Sequence, residues 1–398
     1  MLLGCLKERG PSYYNISNRL VWMHIIGGLL LASFIPNPGL ALLAGVLSLS
    51  LLWVKDPIYS LSYILWPGYV WWAWYALLGL QMRPWMVPWI EGAIIVAGAW
   101  VSLWAVWSWQ YNGRNCQANW GLFWPFTFFF YESKTLPWTM GQGNPNHAQC
   151  FAVCTSAVGL GLVGQGQWWA IPVTLWLLIP VGIIQWWHIG KNRQLTQGAV
   201  HLANVLMAWL LWEWPLWGSA ALVGYLLTAL WLVKPWTVGA YHSTAGGRLS
   251  VWYGTVRDCW WKQTRLVKWF GAGPGTWIPA YTYHQAKEAK EQTLPQPEKP
   301  LLMTAAHNEY LQTLIEQGAM GLLGLLLGIA CGFWTLWGAG PAALPVYLLA
   351  VALCSMAVTN FPWTLYHEVE MYGEKRGHGA PALNVLSLLT LLLIESIR

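Results

Sequence analysis

The sequence predicts an all-α protein, a polytopic transmembrane helical bundle of about 11–12 helices with one long polar loop carrying short helices. Three observations predict it. Of the 398 residues, 56% are hydrophobic and only 9% charged, against about a quarter charged in a soluble domain. So little polar material cannot cover a globule, and the solvent implied is lipid. The apolar residues gather in long runs, and about 20 such residues span a hydrocarbon core as a helix. The chain also carries 34 tryptophans, whose amphipathic rings favour the headgroup boundary. Open strands are excluded, because a bilayer leaves their backbone groups unsatisfied.

In chain order, helices are expected at about 20–35, 39–54, 58–80, 88–109, 147–164, 168–188, 196–212, 215–233, 319–337, 341–360 and 380–396. Pro36-Asn37-Pro38-Gly39 separates the first pair and Pro215 the seventh from the eighth. Trp53, Trp66, Trp85, Trp89, Trp186, Trp187, Trp214 and Trp217 fall near the expected ends, as interfacial anchors do. Leu122–Tyr131 (LFWPFTFFFY) is aromatic and broken by Pro125, and can lie in the interface, re-enter or cross. The basic N-terminus, with Lys7 and Arg9, prefers the cytoplasm. An added crossing by the aromatic stretch then puts residues 235–318 outside, on the same side as the Asn144–His147 and Lys191–Arg193 turns. No cleavable signal pattern is present, so the first spanning helix is expected to target the chain. Three parts follow: an N-terminal transmembrane bundle (1–234), a polar loop (235–318) and C-terminal transmembrane helices (319–398).

Charge and cysteine content narrow the class. The net charge of +6 and pI near 8.9 suit a protein facing anionic lipid. No Lys/Arg run resembles a nucleic-acid arm. The seven cysteines show no CxxC or Cys/His metal spacing. Cys150, Cys154, Cys331 and Cys354 lie in apolar runs and read as packing residues, whereas Cys116 and Cys259 lie in polar segments. The acidic residues form no DxD pair and no metal-ligand cluster, so neither a metal nor another cofactor is expected.

The polar loop holds most groups capable of chemistry. Glu291–Pro300 (EQTLPQPEKP) reads as a Pro-rich linker. Beyond it a helix is expected from Thr304 as N-cap, with His307 at its third position, running straight into the span at 319–337. A helix N-terminus favours neutral imidazole, the form a general base requires. An interfacial histidine bonded to water or headgroups fits the same position. Asn308 and Glu309 can orient His307 or bind hydroxyls. Arg193 and Arg248 can grip a diphosphate in bidentate fashion or rest on lipid phosphates. Arg257, Lys262, Arg265 and Lys268 read as a basic face toward headgroups. Trp252, Trp260, Trp261 and Trp277 can anchor at the interface or stack on sugar rings. Gly271-Ala272-Gly273-Pro274-Gly275 is a tight turn and no phosphate loop, since no strand precedes it. Asn144-Pro145-Asn146-His147 is a turn that caps a helix or offers amides to a ligand.

Taken in order, GNPNHAQ (143–149), KNRQLTQGAV (191–200), GRLSVW (247–252), WFGAGPGTW (269–277) and HNEYLQTLIEQGAMGLL (307–323) resemble the bacterial O-antigen ligase/polymerase family. That family also includes O-oligosaccharyltransferases. The resemblance covers about residues 140–340. It implies a multi-pass protein of the bacterial inner membrane whose active loop faces the periplasm. It implies transfer of a glycan from a polyprenyl-diphosphate carrier to an acceptor, without nucleotide sugar, metal or other cofactor. The acceptor can be lipid A-core, a second lipid-linked glycan or a protein hydroxyl. By this resemblance His307 is the base, Arg248 and Arg193 hold the diphosphate, and Asn308 matches the residue that follows the family's histidine. Asn308, Glu309, Trp252, Gly273, Gly275 and Asn146 are the candidate substrate contacts. Two other classes compete. A transporter of polar lipids wants charged groups buried in mid-span and repeats; Glu91, Glu213 and His201 are the nearest such groups. A scaffold subunit needs only the tryptophan-rich surface.

Overall fold

Prolines set where the helices begin. The computed structural model describes residues 11–54, 66–110, 145–192, 196–233, 251–278, 280–283, 306, 308–358 and 381–397. Its helices are α1 (Pro11–Ser33), α2 (Pro38–Ser50), α3 (Trp66–Gly79), α4 (Val87–Gln110), α5 (Pro145–Gly164), α6 (Ala170–Leu177), α7 (Ile179–Asn192), α8 (Gln197–Glu213), α9 (Pro215–Val233), α10 (Arg265–Phe270), α11 (Glu309–Gly338), α12 (Leu344–Met356) and α13 (Pro381–Ile397). Five of them open on a proline. Its missing N–H is one that a first turn leaves unpaired anyway, and its φ is already helical.

The fold is all-helical, with no strand among the described residues. Each of the eleven expected apolar runs carries helix. Three details differ. The run expected at 168–188 is two helices, α6 and α7, because Pro180 has no N–H to continue the ladder. The residues Pro145–His147, expected as a turn, form the first turn of α5. The helix expected to run unbroken from Thr304 starts instead at Glu309 and is interrupted at Gly318. Leu122–Tyr131 and Glu291–Pro300 lie outside the described residues.

The chain forms two compact units. One comprises Met1–Leu77, Ala229–Cys331 and Leu365–Gly377; the other comprises Leu78–Thr228, Gly332–Thr364 and His378–Arg398.

The second unit is built around α5, which packs against α4, α6, α7, α8, α12 and α13. Its residues from Ala148 to Val158 are all buried. Small residues allow this: a Cβ on Gly161 would lie 2.3 Å from Pro345 Cα, the close approach common between helices in lipid. Polar groups in this core are held by one another. Gln185 Oε1 accepts from Thr196 N at 2.9 Å, and Gln149 Oε1 from Gly198 N at 2.8 Å, which caps α8. Ser355 Oγ accepts from Asn204 Nδ2 at 2.6 Å and lies 2.8 Å from His201 Nδ1. His201 is therefore a packed core histidine.

In the first unit α1 packs against α2, and α2 meets the apolar part of α11. Asn37 Oδ1 caps α2 by accepting from Gly39 N (3.0 Å) and Leu40 N (3.2 Å), while its Nδ2 donates to Gly328 O at 2.9 Å. The expected chain break at 36–39 is thus also a clamp between two helices. The helices touch backbone to backbone, since a Cβ on Gly39 would lie 2.0 Å from Gly328 N.

Two segments are long and apolar enough to cross a membrane, Pro84–Val106 and Glu309–Gly338, with mean hydropathies of 1.6 and 1.9. Only 33% of each apolar window is buried. Trp85, Trp89, Trp214 and Trp217 are exposed at helix ends, as anchors should be, whereas Trp186 is exposed in the middle of α7. Trp53 is different and is taken up below.

Replacing Gly39 by Val inserts a side chain where backbone already sits. It should cost about 3 kcal/mol or more and lower the unfolding temperature in detergent. Gly27→Val is the control, because nothing lies within 4 Å of a Cβ there.

Candidate functional site

The candidate site is organised by the break in α11. Gly318 has φ 71° and ψ −172°, a conformation essentially reserved for glycine. The helix cannot bond across it, so the carbonyls of Ile315 and Glu316 lose their helical partners. They accept instead from Ala272 N at 3.0 Å and Gly273 N at 2.9 Å. The Gly271–Gly275 turn is therefore docked on the end of the polar half of α11. Contact is too close for side chains: a Cβ on Gly318 would lie 2.4 Å from Gly271 N, and one on Gly271 2.2 Å from Glu316 O. Gly271 itself has φ 79° and ψ 168°, in the same glycine-only region.

Glu316 fastens the turn a second time. Its buried carboxylate accepts the backbone N–H groups of Gly275 and Trp277, and Gln312 Nε2 donates to its Oε1 at 3.1 Å. Trp53 closes the far side by donating from Nε1 to Gly271 O at 2.9 Å, with its ring edge-on to Phe270. This tryptophan, expected as a lipid anchor, is instead a structural donor.

The polar half of α11 buries its polar face. Asn308, Glu309, Gln312, Thr313, Glu316 and Gln317 are all buried, at the spacing of one helical side. Gln312 Oε1 accepts from Ala306 N at 3.3 Å. Asn308 Oδ1 accepts from Leu311 N at 3.0 Å, and Gln312 N donates to Asn308 O at 3.0 Å. Asn308 is thus the N-cap. The expectation of Thr304 as cap, with His307 inside the first turn, is corrected by this geometry.

The segment before the turn joins the same assembly. Trp252 Nε1 donates to Ala306 O at 3.0 Å. Trp277 is fully buried, donates to Thr255 Oγ1 at 3.1 Å, and stacks on Tyr281 at 4.8 Å between centroids. It offers no face to a sugar, contrary to that sequence reading. Cys259 is a buried free thiol, pushed up to about 12 mainly by burial, and is unreactive at neutral pH. Among the described residues no group of three or more His, Cys, Asp or Glu is placed to hold a metal ion.

The sequence-derived site residues fare unequally. His307, Arg248 and Arg193 lie outside the described residues. Their neighbours do not: Trp252 follows Arg248 by four positions, and its indole bonds the carbonyl of the peptide linking Ala306 to His307. Asn308 and Glu309 are buried, which suits holding neighbouring groups better than meeting a substrate. Gly273 and Gly275, expected to contact substrate, already donate their amides to Glu316 and have none left for a diphosphate. Asn146 lies in the first turn of α5, in the other unit. Sequence reasoning missed Glu316, Gln312 and Trp53. The signal for the first two was their four-residue spacing on the side of the helix that carries Asn308 and Glu309.

No protein-family model matches the chain, and no curated protein matches it.

Glu316→Ala should strand the amides of Gly275 and Trp277 and cost about 3 kcal/mol, whereas Glu316→Gln keeps an acceptor and should cost about 1 kcal/mol. Limited proteolysis checks this. The alanine variant should be cut faster within 271–283, and equal resistance of the two variants would show that the carboxylate does not hold the turn.

Proposed function

We propose that this chain is a polytopic membrane enzyme. It transfers a glycan from a polyprenyl-diphosphate carrier to an acceptor hydroxyl at the outer face of a bacterial inner membrane. The observation that carries the reading is the hydrogen bond from Trp252 to Ala306. It joins Trp252, four residues after Arg248, to Ala306, the residue before His307, and the reading draws its base and its diphosphate grip from those two segments. The base and the diphosphate grip come from separate segments, and such a reaction needs them in one place.

Three further features support it. The polar, buried half of α11 leads directly into an apolar, outward-facing half, as a site at the water end of a membrane helix requires. The many exposed apolar side chains on α1, α4 and α11 fit a lipid surround. In the sequence His307 immediately precedes Asn308, whose side chain caps α11.

The chemistry is a single displacement. His307 takes the proton of the acceptor hydroxyl, and the oxygen attacks the anomeric carbon. The bond from that carbon to the diphosphate breaks, and the carrier diphosphate leaves with the electron pair. Arg248 and Arg193 neutralise the departing charge. In-line attack inverts the anomeric carbon. No metal or nucleotide sugar is needed.

The test is release of carrier diphosphate by purified protein in vesicles, with glycolipid, glycan and peptide acceptors supplied separately. His307→Ala should abolish release while the protein stays folded in the membrane; unchanged release removes His307 from catalysis. A transporter would move the intact lipid without cleaving it, and a scaffold would do neither. Trp252→Phe keeps the ring but loses the donor, and should lower turnover roughly tenfold or more with little loss of stability. Wild-type turnover in that variant would show that the bond does not hold the site.

A further inference from the structure

Residues 253–270 carry an exposed surface that the proposed transfer reaction does not use. Tyr253, Trp261, Leu266 and Trp269 are 62%, 65%, 55% and 57% exposed, and Phe270 is also open. Large aromatic and aliphatic side chains are costly in water when gathered this way. Among them stand four cations, Arg257, Lys262, Arg265 and Lys268. Arg257 lies over the Tyr253 ring at 4.9 Å, and Lys268 over the Trp261 ring at 5.1 Å.

The single acid of the stretch is removed from this surface. The Asp258 side chain is 6% exposed and is clamped by Arg257, at 2.7 Å, and by Lys262. Within residues 253–270 cations and apolar or aromatic side chains are therefore exposed, with no exposed carboxylate among them. Arg265 and Lys268 lie on α10, whose cap Thr264 accepts from Val267 N. Directly after α10 comes Gly271, so the surface is one peptide away from the turn docked on α11.

We propose that this surface docks on an anionic bilayer, with phosphate headgroups meeting Arg265 and Lys268 and the rings of Trp261 and Trp269 sinking to the glycerol level. The chemistry matches on both counts. Basic side chains near an anionic surface are attracted within a Debye length. Tryptophan and tyrosine rings prefer the boundary where one edge is wet and the other dry. A second protein surface would be expected to supply carboxylates to the cations; a bilayer supplies phosphates and apolar depth together. The docking holds α10 at the interface, and through Gly271 it sets the level of the glycine turn relative to the lipid. The inference rests on the chain lying in a membrane and not on glycan transfer, so the experiment reads depth and not activity.

The full chain carrying Leu266→Cys, labelled with an environment-sensitive fluorophore, is placed in nanodiscs of phosphatidylcholine alone or with phosphatidylglycerol. The unsubstituted chain treated with the same label supplies the background from native cysteines. Lipid spin-labelled near the headgroup should quench the label at 266 about twofold more in the anionic discs, and high salt should remove the difference. Arg265→Gln with Lys268→Gln leaves the Asp258 clamp intact and should abolish the difference too. Equal quenching in both lipids, or in the double variant, overturns the proposal. A label shielded from lipid and from aqueous quencher alike, with cross-links between labelled copies, overturns it in favour of contact with a second copy.

Discussion

The interruption of α11 at Gly318 is the constraint on which the rest of the first unit depends. An unbroken helix would satisfy the carbonyls of Ile315 and Glu316 from its own amides. The break leaves both without partners, at about 1–3 kcal/mol each if nothing replaced them. The replacements are Ala272 N and Gly273 N. The glycine turn is in turn a poor structure by itself, because glycine loses the most backbone freedom on ordering. Docked, it receives two backbone acceptors, the Glu316 carboxylate and the indole of Trp53. Break and turn stabilise each other, and each makes little sense alone. Alanine at either Gly271 or Gly318 would meet backbone at under 2.5 Å, so the two glycines define the contact.

The same break separates two kinds of surface within one helix. Before Gly318 the buried side of α11 is polar, from Asn308 to Gln317. After it the outward side is apolar, with Leu323, Leu326, Leu327 and Trp334 exposed, while Gly324 and Gly328 make the close contacts with α2. A side chain large enough to gain from burial would push these backbones apart. Association there relies on contact at short range and on the Asn37 clamp, as expected where lipid removes the hydrophobic drive between helices. The orientation of the polar half is then free to be set by the turn rather than by the direction of the apolar half.

Much of the architecture was legible because its causes are local. Apolar runs of near-bilayer length and prolines at helix starts are read from neighbouring residues, and all eleven expected runs carry helix. The Pro36–Gly39 breaker was equally plain, but its second role, Asn37 reaching Gly328, spans 291 positions. The site was less legible for the same reason. Trp53 looked like its many interfacial neighbours, and only a partner 218 positions away makes it a donor to the turn. Trp277 looked available to a sugar until Thr255 and Tyr281 were seen to enclose it. Thr304 was a reasonable cap by residue type, yet Asn308 takes the role, and both residues satisfy the same local rule. Where two candidates satisfy a local rule, contacts elsewhere decide: here Gln312 holds Ala306 outside the helix and leaves the cap to Asn308.

That choice of cap bears on the chemistry proposed. A general base must lie within hydrogen-bond reach of the proton it takes, and a shift of about 1 Å can cost a hundredfold in rate. The residue before His307 has both backbone groups engaged, its N–H on Gln312 and its carbonyl on Trp252. The residue after it spends its side chain on Leu311 N and its carbonyl on Gln312 N. Gln312 therefore serves both flanks and also bonds Glu316, which holds the glycine turn. One amide side chain links the neighbours of the proposed base to the break that organises the unit. The residues on either side of position 307 are thus tied to α11, to the glycine turn through Glu316 and to Trp252, three attachments where a residue carried on the helix alone would have one.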